Sequence, residues 1–200
     1  MHFIKDRFFM TSDIFKNDIF KKNKTYKNFK VSNSIFIKEI NSHLIELTHK
    51  TGAKIMHILN DDIENLFSIS FQTFAKSSNG IAHILEHMVL CGSKKFPVKD
   101  PFFYMRRRSL NTFMNALTGS DFTCYPASSE NKKDFYNLLD VYLDAVFYPN
   151  LKKESFLQEG HRLEFEKPLI PKSLKYKGVV FNEMKGAMAS IDDMLYNKLL

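Results

Sequence analysis

The chain has no tryptophan, only two cysteines, and nowhere an apolar run as long as a membrane span. The cysteines, Cys91 and Cys124, stand far apart and form no C-x-x-C pair. That excludes a cysteine-based zinc site, a thioredoxin-like redox motif and a disulfide scaffold. Internal repeats and low-complexity linkers are also missing, which excludes a solenoid or an array. The N-terminus lacks the uninterrupted apolar core of a secretory signal, because Lys5, Asp6 and Arg7 break it early.

What is there is a globular composition. Hydrophobic residues make up 44% of 200 residues, with 20 Phe, enough for one domain with a sizeable core. The net charge of +7 would suit nucleic acid, anionic lipid or acidic substrates. Its lysines are densest before residue 31, mixed with Asn and Asp, and no nucleic-acid motif accompanies them. The charge therefore reads as solvated tail and surface, with neither nucleic acid nor membrane as partner. Residues 1–30 are basic and Phe-rich, like a mitochondrial presequence, but Asp6, Asp13 and Asp18 argue against one. Two thiols and no export signal fit a reducing compartment. The cytoplasm is the first reading and the mitochondrial matrix the alternative.

Residues 1–32 read as an irregular basic lead-in and residues 33–200 as one domain. Strands are expected over residues 34–37, 43–48 and 53–59, with Thr51-Gly52 as a turn, and over residues 66–74, where large apolar and small polar residues alternate. Asn60-Asp61-Asp62 is a further turn. A helix follows from Ile81 to about Leu90, capped by Gly92, and a short one over residues 102–108. Strands are expected over residues 110–117 and 122–127, joined by Thr118 to Asp121. Asn131 caps a helix whose stripe of Phe135, Leu138, Leu139, Tyr142, Leu143, Val146 and Phe147 is core, stopped by Pro149. A helix near Lys153 to Glu164, broken by Pro168 and Pro171, and a last helix from about Leu174 complete the pattern. This is an α+β fold, mainly antiparallel sheet packed against helices.

The chemistry concentrates in His83-Ile84-Leu85-Glu86-His87. Residues four apart lie on one face of a helix, so His83 and His87 can offer two imidazole nitrogens to one metal ion. Glu86 stands beside the pair, placed to take a proton from water activated by zinc and to return it to a leaving amine. Two histidines and an acid in an otherwise apolar helix need partners, and a metal satisfies all three. A third ligand must come from elsewhere. Glu183, flanked by apolar residues, is one choice, and Glu159 and Glu164 are rivals.

The segment His83 to Lys95 resembles the pitrilysin/insulinase superfamily, the inverzincins, and most closely its presequence-protease, falcilysin-like branch. Three further stretches carry the same resemblance: Ser109 to Ala116, Asp140 to Phe147 and Gly178 to Gly186. The resemblance implies that Asn182-Glu183-Met184-Lys185-Gly186 supplies the third zinc ligand, Glu183, which lies 96 residues after His87. His83, His87 and Glu183 are then the ligands and Glu86 the base of a zinc metalloendopeptidase that degrades short unfolded peptides. It also implies that the strand holding Asn115 and Ala116 pairs with the peptide as an added edge strand.

Three departures stand out. His161 replaces the family's usual Trp after Gln-Glu-Gly. Arg107-Arg108 replaces Lys-Gly before the Ser-Leu-Asn-Thr-Phe stretch. Tyr176 stands where other branches place an acid seven residues before the third ligand. The chain is also about one fifth of the family's length. The expectation is an N-terminal portion that needs a C-terminal half for turnover. The alternative is an inactive module that binds zinc and a peptide or a partner half.

Overall fold

The computed structural model describes residues 21–167 and 170–199, which fall into two compact units divided between Ile63 and Glu64. Residues 1–20 of the expected lead-in, and Pro168, lie outside the described residues.

The first unit is an antiparallel meander of β1 (Thr25–Tyr26), β2 (Phe29–Ile37), β3 (Ser42–His49) and β4 (Lys54–Leu59). Its turns are built by residues suited to positive φ: Asn41 (46°) after a one-turn 3-10 helix and Gly52 (93°) in the expected Thr51-Gly52 turn. Val31, Leu44 and Ile45 are buried. Order therefore begins earlier than the irregular stretch expected through residue 32. Lys30 and Val31 pair with Thr48 and Leu47, because Val31 supplies an inward apolar residue in register with the next strand. The two units meet between Ile63 and Glu64, just after the Asn60-Asp61-Asp62 turn.

In the second unit, β8 (Phe122–Ser129) is central. β5 (Asn65–Gln72) lies on one side of it, and β6 (Phe113–Met114) and β7 (Leu117–Thr118) on the other. The strand expected over residues 110–117 is thus two short pieces. At the break the Ala116 amide bonds the side chain of Asn115 (3.0 Å), and the Asn115 carbonyl accepts from the Tyr142 hydroxyl (3.2 Å). The helices are α1 (Ile81–Val89), α2 (Pro101–Arg108), α3 (Lys132–Phe147), α4 (Lys153–Glu159), α5 (Val179–Ala187) and α6 (Ile191–Leu199).

The core joins α1, β8 and α3 through Val89, Met114, Tyr125, Ala127, Leu138 and Tyr142. Each large side chain in it contributes about 1.5–3 kcal/mol of burial. The expected stripe on α3 holds, except that Phe147 at its end is exposed. Asn131 caps α3 by accepting from the Asp134 amide at 3.1 Å.

Two expectations fail between residues 160 and 178. The helix expected to Glu164 stops at Glu159, and Arg162–Phe165 is a strand, β9. The helix expected from Leu174 begins only at Val179, and Leu174–Lys177 is β10, paired antiparallel with β9. Both segments alternate apolar with charged residues, a period of two that favours a strand, and Gly160 ends the helix before them. Opposite charges then line up on the hairpin: Glu164 with Arg162 and Lys177, and Glu166 with Lys175. Among the described residues every strand pairing is antiparallel, so the α+β reading with mainly antiparallel sheet is the observed fold.

Candidate metal centre

The site lies wholly within residues 64–200, where α1 meets β7, α4 and α5. α1 starts after Asn79, whose side chain accepts from the Ile81 amide at 3.3 Å. It ends in a turn that only glycine suits: Gly92 has φ +119°, and a Cβ there would stand 2.7 Å from the Val98 carbonyl oxygen. The loop beyond is tied to the end of α3. The Lys94 amide bonds the Tyr148 carbonyl (3.0 Å), the Lys95 amide bonds Asp144 (2.7 Å), and the Lys95 ammonium pairs with Asp140. The helix that carries the histidines is therefore fixed at its C-terminal end.

On α1, His83 and His87 project together with ring centroids 5.0 Å apart. From α5, Glu183 Oε2 stands 3.5 Å from Nε2 of both rings. One ligand atom from each of the three lies within 4.8 Å of the others, a group that could hold a metal ion. A tetrahedral ion with bonds of about 2.1 Å needs ligand atoms roughly 3.4 Å apart, so the two 3.5 Å separations fit the donor set. The imidazoles are about three-quarters buried, whereas Glu183 is half exposed and leaves one side open to solvent.

Glu159 does not join this group. Its Oε2 meets Nδ1 of His87 at 3.1 Å, on the far side of the ring, and its Oε1 accepts from Gln158 at 3.0 Å. A carboxylate there fixes the ring's orientation and tautomer and leaves Nε2 for a ligand's work. The hydrogen bond to Glu159 is the main cause that raises the His87 pKa, against the lowering effect of burial, with the charges of Glu183 and Glu86 adding to it. Glu164, the other rival, lies on β9 in the exposed ion-pair row.

Glu86 is only 6% exposed. Its Oε2 accepts from the Thr118 hydroxyl at 2.5 Å, at the end of β7. Neither Thr118 nor the role of Glu159 was found from the sequence. Thr118 fell inside an expected loop, and the spacing between Thr118 and Glu86 carries no periodic signal.

The cysteines stay apart from this chemistry. Burial pushes the Cys91 thiol up to about 12, and Cys124 is raised for the same reason, so both remain protonated. His161 fills an aromatic row between Phe156 (5.3 Å) and Tyr176 (5.8 Å).

Comparison with known proteins bears on this geometry. Residues 74–194 match the sequence model of the insulinase family, peptidase family M16. A presequence protease, mitochondrial, of Xenopus tropicalis is 56% identical over 162 residues, covering 78% of this chain and 16% of that protein. Protein HypA of Clostridium perfringens is 50% identical over 183 residues, covering 90% and 19%. Presequence protease 1, chloroplastic/mitochondrial, of Arabidopsis thaliana is 51% identical over 163 residues, covering 80% and 15%. The chain thus spans less than a fifth of the length of these curated relatives. Among solved structures, a crystal structure of pitrilysin superimposes with a TM-score of 0.57 at 21% identity, covering 64% of this chain and 14% of that one, a likeness of fold.

Proposed function

We propose, on the premise that this chain belongs to the insulinase family (peptidase family M16), that His83, His87 and Glu183 hold a zinc ion and that Glu86 is the general base of peptide hydrolysis. The observation that carries the proposal is the convergence of those three side chains within 4.8 Å, next to a buried glutamate. Two imidazoles and one carboxylate are a donor set suited to zinc with an open fourth position. Bound there, zinc supplies a Lewis acid and brings the pKa of a water molecule down to about 7.

The chain's own residues have separate tasks. Thr118 occupies Glu86 Oε2, which leaves Oε1 to accept a proton from the attacking water and later to give it to the leaving amine. Glu159 holds the His87 ring from behind. Asn115 and Ala116 lie on the outer edge of the sheet, three and two residues before Thr118, and are proposed to receive a peptide as an added strand. Reading a substrate through its backbone suits short unfolded peptides of varied sequence. The relatives are about five times longer, so turnover is proposed to need groups from further chain that stabilise the oxyanion. Relatives whose names give a compartment are mitochondrial or chloroplastic, which favours the mitochondrial alternative over the cytoplasmic reading.

Metal analysis after dialysis against zinc is expected to find one equivalent per chain, and Glu183→Gln to weaken binding at least about 10-fold. Unchanged affinity in that variant overturns the ligand assignment. Peptide cleavage is tested in a chimera that carries this stretch in place of the matching segment of the Xenopus tropicalis relative. It should cleave a quenched unstructured peptide, and Glu86→Gln should abolish cleavage. Full activity in Glu86→Gln removes the base.

A further inference from the structure

We infer that a backbone crossing between Gly160 and Gly178 is the positioning element of the metal site, setting Glu159 and Glu183 on opposite sides of His87. The inference rests on the ligand assignment proposed above. Both glycines are buried. A Cβ at residue 178 would collide with the Gly160 carbonyl oxygen and stand 2.6 Å from its carbon and 2.8 Å from His161 Cα. These are backbone atoms, so no rotamer change relieves the overlap. Gly178 has φ 171°, extended backbone open to any residue, so the demand for glycine is one of space alone.

The crossing sits where the three helices of the site converge. Gly160 ends α4, its amide bonding the Phe156 carbonyl at 2.8 Å, one residue after Glu159. Gly178 starts α5, its carbonyl accepting from the Asn182 amide at 3.0 Å, five residues before Glu183. Gly160 also leans on α1: a Cβ there would be 3.2 Å from Ile84 Cγ2, next to His83. An alanine at 178 must push α5 away by more than about 0.8 Å, the shift that brings the 2.6 Å contact to the 3.4 Å at which ordinary contact begins, because the Gly160 carbonyl oxygen stands nearer still. A helix turn is stiff and carries such a shift to Glu183, whereas metal bonds tolerate only about 0.2 Å. His83 and His87, on α1, stay in place. Gly178 touches neither metal nor substrate and acts only through Glu183.

The test is zinc affinity of the full 200-residue chain, read by competition with a chromophoric chelator. It compares the parent, Gly178→Ala, Glu183→Gln, the double variant, and Gly186→Ala as a control on the same helix with nothing within 4 Å of its Cβ position. Gly178→Ala is expected to weaken zinc roughly 10- to 100-fold, and Gly186→Ala to leave it unchanged. The double variant should bind no more weakly than Glu183→Gln alone, a non-additivity that a merely structural defect would not show. Parent-like affinity in Gly178→Ala, or a full further loss in the double variant, overturns the inference while the ligand assignment stands. A parent that binds no zinc overturns both. A thermal melt without metal reports folding. Should Gly178→Ala fail to fold, the milder Gly160→Ala, with closest contacts of 3.0 Å, enters the same cycle: coupling to Glu183→Gln supports the crossing, and additivity overturns it.

Discussion

His83 and His87 lie one turn apart on α1, and any straight helix brings them together. Glu183 reaches them from α5, 96 residues later, and its position depends on how α4, the β9–β10 hairpin and α5 pack. One side of the site is local and the other is tertiary. The difference teaches where the site is vulnerable: the local side fails only when a ligand is removed, whereas the tertiary side also fails when a distant backbone contact moves.

The sharpest way to break the local side is His83→Ala. It removes a ligand and should lower zinc affinity by more than about 100-fold in the chelator competition, with the fold intact by circular dichroism. Glu159→Gln attacks the tertiary side without touching a ligand. The amide keeps one hydrogen bond to His87 Nδ1 but loses the charge that polarises the ring, so affinity should fall by about 10-fold. Asn131→Ala separates scaffold from site. Loss of the bond to the Asp134 amide should cost about 1 kcal/mol in urea unfolding and leave zinc affinity as it was.

The smallest effect belongs to the hairpin that links α4 to α5. The Lys175 and Lys177 ammonium groups and the Arg162 guanidinium hold Glu166 and Glu164 below their ordinary value of 4.5. A lowered carboxylate stabilises the fold above its ordinary pKa, and the gain is lost as pH falls through the lowered value. The melting temperature of the parent should therefore exceed that of Glu164→Gln/Glu166→Gln slightly at neutral pH, and the difference should close in acid. Both carboxylates are in contact with solvent, so salt should shrink it as well.

The same division governed what the sequence could disclose. α3 and β5 follow from periods of 3.6 and 2 over contiguous residues, β3 and β4 from their short apolar runs, and the histidine pair from their spacing. The segment from Gly160 to Gly178 did not. Arg162–Phe165 and Leu174–Lys177 are four residues each, too short for alternation to outweigh the helical residues around them. The break between β6 and β7 is hidden for a different reason, since a single Asn side chain bonding the next amide marks it, with no Gly or Pro beside it. Thr118 and Glu159 gain their roles only from neighbours far off in sequence.

That break has a consequence for how the chain behaves in company. An outer strand with bare amides invites any passing strand to extend the sheet, the first step of aggregation. Here the Ala116 amide is already taken by the Asn115 side chain and the Asn115 carbonyl by Tyr142. Another copy therefore meets an amide that is already engaged at this point. A strand added there has to displace the Asn115 side chain from that amide before it can pair.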